Sequence, residues 1–179
     1  MRKLIYHVAS TVDGFIARAD DTYDCFPMNP GDENITDFMA SLAGYGAVVM
    51  GRRTYEPALK VGVTDPYPNL DTYVFSRSIK ESPHPKVKVI SEDAPGAIRR
   101  LKEQDGKDIY LCGGGEFASM LFMEGLVDEL LLKLNPLLLG SGIPLSPKLK
   151  EHIDLKLMSS KVYSTGVVLL RYAVQKRGK

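Results

Sequence analysis

The sequence of 179 residues is poor in the groups that staple or metallate small folds. Its two cysteines, Cys25 and Cys112, stand far apart, and no C-x-x-C occurs. That pattern supports neither a disulfide framework nor a structural zinc site, and free thiols suit a reducing cytoplasm. Histidine is equally sparse: His7, His84 and His152 are scattered, so neither a metal cluster nor a Ser-His-Asp triad is readable. Charge of one sign is missing as well. Twenty-three basic residues oppose 22 acidic ones for a net charge of +1, spread evenly along the chain. No basic field exists to bind nucleic acid or an anionic membrane by counterion release. Long apolar runs are absent too. The longest, around Leu130 to Leu139 and Val167 to Leu170, fall far short of the roughly 20 residues that span a bilayer. Met1 to Ala9 holds only a short apolar run broken by His7, too brief for a signal-peptide core. There is no repeat and no low-complexity segment.

What remains is the composition of a globular fold: 44% hydrophobic and 25% charged. Such apolar content with balanced charge excludes a disordered chain. At roughly 100–200 residues per domain, one domain is expected. Proline gathers in pairs between elements (Pro27 and Pro30, Pro66 and Pro68, Pro83 and Pro85, Pro144 and Pro147), which fits loops. None of these loops is long or polar enough to read as an inter-domain linker.

Eight segments read as strands: 3–9, 47–50, 72–75, 87–90, 109–112, 129–134, 153–161 and 167–174. Helices interleave with them. Ile35, Phe38, Met39 and Leu42 recur at helical spacing over 33–43. Asp93 is a plausible N-cap for a helix burying Ile98 and Leu101. Glu116 to Glu124 offers Phe117, Met120, Leu121 and Met123 for burial. Alternating strands and helices predict an α/β layer fold with a mainly parallel sheet. The last strands follow one another without a helical pattern, which predicts an antiparallel hairpin extending that sheet.

Three strand exits carry ligand-compatible groups. Gly113-Gly114-Gly115 follows a buried-strand pattern and opens a helix, where backbone approaches a ligand closely and the N-terminus favours an anion. Its bland reading is a tight left-handed turn with no ligand, and Glu116 beside it would repel a phosphate. As a string, Gly113 to Ala118 also matches the Rossmann G-x-G-x-x-A. A Rossmann dehydrogenase is rejected, because the motif sits late and no acid ends the next strand. The second exit is Gly51-Arg52-Arg53-Thr54, with two fork-shaped donors and a threonine that could cap the next turn. The third is Ser76-Arg77-Ser78. Alone, the second reads as a solvated basic helix start and the third as a small, weak anion-friendly patch. Together they predict one polyanionic ligand across several strand ends, and the arginines favour an extra 2′-phosphate as in NADP. A fourth feature, Asp13-Gly14 in STVDGFIA, is either a tight turn or the place where a reactive ring meets substrate. Glu33 and Asp37 share a helical face opposite the apolar stripe, which predicts solvent exposure. Arg171, Lys176, Arg177 and Lys179 read as a solvated tail.

The ordered set STVDGFIA, VVMGRRTYE, VFSRS, YLCGGGEF and LNPLLLGSGIPL resembles the dihydrofolate reductase-like superfamily. Within it, the chain resembles the branch holding the reductase domain of the bifunctional riboflavin-biosynthesis deaminase-reductase and its stand-alone relatives. The resemblance covers nearly the whole chain. It implies a single-domain dihydrofolate reductase-like α/β fold, with a mixed, mostly parallel eight-stranded sheet, flanking helices and an antiparallel C-terminal strand. It implies NADPH. Gly51, Arg52, Arg53 and Thr54, with Ser76, Arg77 and Ser78, would hold the 2′-phosphate and neighbouring phosphates. Gly113, Gly114, Gly115 and Glu116 would lie along the pyrophosphate and nicotinamide, with a cis peptide between adjacent glycines. Ala9 and Ile16 would offer backbone contacts to the carboxamide.

For substrate, the resemblance points to Asp13 for binding or proton supply. Asp37 or Glu33 is the acid available in the first helix, although neither aligns cleanly with the folate-type position. No H-x-E or P-C-x-x-C signature of the deaminase half is present. The expected activity is hydride transfer from NADPH to a C=O or C=N group of a small heterocycle, pyrimidine- or pterin-like. The rival reading is a non-catalytic NADP(H)-binding sensor or scaffold. A homodimer is expected, because both alternating sets of residues 167–174 are apolar.

Overall fold

A computed structural model describes residues 1–175. Lys176, Arg177 and Lys179 of the expected tail lie outside the described residues. In chain order the elements begin β1 (Leu4–Thr11), β2 (Phe15–Ala17), α1 (Glu33–Ser41), β3 (Tyr45–Gly51), α2 (Arg52–Lys60), β4 (Asp71–Phe75) and β5 (Val87–Ile90). They continue α3 (Ala94–Glu103), β6 (Asp108–Gly113), α4 (Gly115–Met123), β7 (Glu129–Asn135), β8 (Ile143–Pro144), β9 (Leu155–Val162) and β10 (Val168–Val174).

Eight strands form one sheet in the order β5-β4-β3-β6-β1-β7-β10-β9. Every pairing from β5 across to β7 is parallel. The C-terminal hairpin is antiparallel, β10 lying between β7 and β9. This is the mixed α/β sheet that the sequence predicts.

The central strands read as near-continuous apolar runs because both faces are covered. Along β1, Leu4 and Tyr6 point to one face, where α3 and α4 supply Ile98, Leu101, Ala118 and Leu121. Ile5 points to the other, where Tyr55 of α2 is buried and Phe38 of α1 packs. Asp93 caps α3 as expected, its carboxylate accepting from the Gly96 N–H at 3.0 Å.

Several expectations need correction. After β3 the basic helix start opens a full helix, α2, and β2 pairs with β8 in an unforeseen ribbon. Met39 and Met123 are exposed. Phe122 takes the buried place in α4, and Asn34 joins Ile35 as the buried residues of α1. Arg171 is no tail residue: it lies within β10 and hydrogen-bonds the buried Glu129 carboxylate at 2.7 Å. The doubly apolar pattern of 167–174 also has a local cause, since β10 is an interior strand.

Candidate active site

A single cleft of about 1140 Å³ opens over the carboxyl ends of the parallel strands. It lies where β6 inserts between β3 and β1, so that connections to either side diverge. Ala9, Ile16, Gly51, Arg52, Arg53, Thr54, Ser76, Arg77, Ser78, Gly113, Gly114, Gly115 and Glu116 all line it. Residues up to 107 positions apart in sequence thus share one wall because their strands end at one edge.

Each exit has its own local logic. Gly51 and Gly114 are the N-caps of α2 and α4, and neither helix has a side-chain cap. Their first-turn N–H groups therefore face the cleft as anion donors. Thr54 does not cap, because α2 already begins at Arg52. It sits in the first turn against the Gly113–Gly114 backbone, where a Cβ on Gly114 would come 3.2 Å from its Oγ1. The Gly113–Gly114 peptide is cis, as the resemblance implies. After β4, the Ser76 hydroxyl accepts from the N–H groups of Ser78 (3.2 Å) and Ile79 (2.9 Å). This folds the loop tightly and leaves Arg77 exposed.

The charges fit a dinucleotide carrying an additional phosphate. Arg52 pairs with Glu56 at 2.6 Å, and Arg53 with Asp21 at 2.7 Å. Both are exposed pairs, of the kind worth about 0–1 kcal/mol, so a phosphate can displace them. Arg77 has no side-chain partner among the described residues. Glu116, which would repel an anion, is paired with Lys148 at 3.0 Å.

The inner end of the cleft differs in character. His7 of β1, Phe38 of α1, and Tyr110 and Cys112 of β6 line it with Tyr67 and Lys133. The rings interlock, His7 lying 5.2 Å from Phe38 and Tyr67 lying 5.6 Å from Tyr110. Burial, with the nearby Lys133 ammonium, holds His7 down at about 4, so the imidazole is neutral at physiological pH. Its Nδ1 lies 3.3 Å from the Tyr45 hydroxyl. Burial pushes the Cys112 thiol up and the Lys133 ammonium down. A second cavity of about 220 Å³ shares His7, Phe38 and Lys133 with the cleft and adds Asn34, Asp37 and Tyr163. Apart from Asp37, sequence reasoning missed this inner set. One signal was available: a lone lysine inside the apolar strand ELLLKLN.

The two expected catalytic acids do not line the main cleft. Asp13 instead clips two loops together. Its carboxylate accepts from the Thr11 hydroxyl at 2.5 Å and from the N–H groups of Leu139 (3.0 Å) and Gly140 (2.7 Å). The Thr11 hydroxyl foremost, then those N–H groups, hold it at about 2, so it carries no proton to donate near neutrality. Gly14 permits the turn with φ +85°. Asp37 faces the second cavity, where Lys161 (2.7 Å) and the Tyr163 hydroxyl (2.9 Å) donate to it. Glu33 also pairs with Lys161, at 2.7 Å. The acidic face of α1 is solvent-exposed as expected, with side-chain exposures of 55% for Glu33 and 42% for Asp37, and Lys161 of β9 reaches both carboxylates there.

Sheet order, cleft position and phosphate-compatible exits define a dihydrofolate reductase-like fold. A dihydrofolate reductase of Enterococcus faecalis solved with NADP(H) superposes with a TM-score of 0.74 over 97% of both chains, at 14% identity. A Shewanella sp. PV-4 protein described in connection with riboflavin biosynthesis reaches a TM-score of 0.83 at 26% identity, over 98% of this chain and 100% of its own. The chain belongs to the RibD C-terminal domain family, whose model matches residues 2–169. It is also 32% identical over 170 residues to the uncharacterized protein YwjB of Bacillus subtilis strain 168, covering 94% of this chain and 96% of that one.

Proposed function

We propose that this chain is an NADPH-dependent reductase that delivers hydride to a C=O or C=N group of a small, flat heterocycle, pyrimidine- or pterin-like. The observation that carries this reading is the continuity of the cleft. Its outer part gathers arginines and two uncapped helix N-termini, and its inner part is a slot walled by aromatic rings. Bound there, the cofactor would supply the hydride. Arg52, Arg53 and Arg77 would hold phosphates. Ala9 and Ile16 would position the nicotinamide, and Phe38, Tyr67 and Tyr110 would exclude water from the reacting centre. The family match and the fold of an NADP(H)-complexed reductase support this assignment.

Proton supply falls to water or to the inner polar groups, because Asp13 is held ionised. The proposal includes a cytoplasmic setting, in keeping with two free cysteines and with no helix among the described residues long and apolar enough to cross a membrane. It also includes a homodimer, through the edge strand β9, where Leu155, Leu157, Met158 and Val162 are exposed.

The test is NADPH oxidation in the presence of a panel of flat heterocyclic carbonyl and imine compounds. Substrate-dependent oxidation supports the reading. NADPH binding without oxidation by any member favours the sensor or scaffold alternative. Failure to bind NADPH refutes both.

A further inference from the structure

Lys133 sits near the carboxyl end of β7, in register with Ala9 of β1 on one side and Leu169 of β10 on the other. It is only 7% exposed, yet its ammonium has no hydrogen-bond or ion-pair partner among the described residues. The nearby carboxylates are committed elsewhere. Asp37, across the second cavity, is held by Lys161 and Tyr163. Glu129, on the same face of β7, is held by Lys3 and Arg171. His7, which shares both cavities with Lys133, is neutral.

A partly desolvated cation without a counter-charge is costly, and an anionic ligand in the cleft would offset that cost. Lys133 lies at the junction of the cleft and the second cavity. The cleft walls beside it are the rings of His7, Phe38 and Tyr110. A flat ring in the cleft would lie against this aromatic wall, and an anionic oxygen on that ring would meet Lys133. The α1 residue buried at the second cavity is Asn34, not an acid, so no free carboxylate there invites a protonated, amidine-like ring.

We infer that Lys133 anchors an anionic oxygen of the substrate, a ring carboxylate or enolate, and that the site selects flat acids over their neutral amides. This inference rests on the reductase reading for the second ligand of the cleft. The pairing is an ion pair reinforced by a charge-assisted hydrogen bond, formed close to Ala9 and hence to the expected nicotinamide position.

The experiment compares orotate with its neutral amide, orotamide, by calorimetric titration into NADPH-loaded protein. Wild type, Lys133→Met and Lys133→Arg are measured side by side. Orotate is expected to bind about 10- to 100-fold more tightly than orotamide in the wild type, the ratio one charge-assisted hydrogen bond supplies. Lys133→Met should abolish that ratio while leaving NADPH affinity unchanged, and Lys133→Arg should retain a preference for the acid. A second arm needs no ligand: apo Lys133→Met should melt at least about 2 °C above wild type, since it removes a desolvated cation. Equal affinities in the wild type, no binding of orotate, or an unchanged ratio in Lys133→Met overturns the inference. So does a lower melting temperature for Lys133→Met, which would make Lys133 a structural residue. Loss of NADPH binding by the wild type refutes the reductase reading instead, and the acid-against-amide comparison then proceeds on the apo protein.

Discussion

Cofactor preference should reside chiefly in Arg77, and its size can be worked out from the partners of the three arginines. Arg52 and Arg53 are engaged with Glu56 and Asp21 before any ligand arrives, whereas Arg77 has no side-chain partner among the described residues. A phosphate meeting Arg77 therefore gains a charge-assisted interaction of about 1.5–3 kcal/mol with nothing to displace. At Arg53 the same gain is reduced by the lost pair with Asp21. That pair is half exposed, 47% and 35% for the two side chains, so it is worth about 0.2–1 kcal/mol in water.

Arg77→Ala is thus expected to weaken NADPH binding by roughly 10- to 100-fold and to leave NADH nearly unchanged. Arg53→Ala should cost less, and Asp21→Ala should tighten NADPH by up to about fivefold, because it frees Arg53. Fluorescence titration of each variant with NADPH and NADH, at one fixed ionic strength, reads all of these ratios. Equal affinity of the wild type for the two cofactors would refute the 2′-phosphate argument. An Asp21→Ala variant that binds NADPH more weakly would refute the competition between carboxylate and phosphate.

Other outcomes follow from buried groups and the sheet edge. The Tyr6 hydroxyl is buried without a hydrogen-bond partner among the described residues, so Tyr6→Phe should raise stability by about 1 kcal/mol, seen as a melting temperature about 2–4 °C higher. A lower melting temperature would mean that the hydroxyl is satisfied. Burial alone would raise the Glu129 carboxyl, but hydrogen bonds from Lys3 and Arg171 outweigh it and hold it below its ordinary 4.5. Its contribution is therefore present above pH 4.5 and lost as pH falls through the lower folded value. The stability gap between wild type and Glu129→Gln should shrink in urea melts between pH 7 and pH 3, and a constant gap would contradict this. Sedimentation equilibrium should show a dimer for the wild type and a monomer for Leu157→Lys, while a monomeric wild type would remove β9 as an interface.

The outer cleft was legible in the sequence because each of its parts is local. A strand that ends in Gly51-Arg52-Arg53 or Gly113-Gly114-Gly115 writes its anion-compatible exit within a few consecutive residues, and parallel topology then brings the exits to one edge. The inner cleft obeys a different rule. His7, Phe38 and Lys133 come from a strand, a helix and a distant strand, and each taken alone resembles an ordinary core or solvated position. Asp13 misled for the same reason in reverse: its neighbourhood looked like a reactive turn, while two of its partners beside Thr11, the N–H groups of Leu139 and Gly140, lie more than 120 positions away. Alternation along β7 nevertheless held a usable signal. Glu129, Lys133 and Asn135 fall on one face of a strand otherwise made of leucine, and all three are buried. Burying three polar side chains on one strand face is unfavourable unless each finds a partner. Glu129 is satisfied by Lys3 and Arg171, and the Asn135 amide donates to the Ser10 and Lys133 carbonyls. Lys133 is the member of that row left to a ligand, so a polar row on an apolar strand, with its partners counted, points to the substrate end of the cleft.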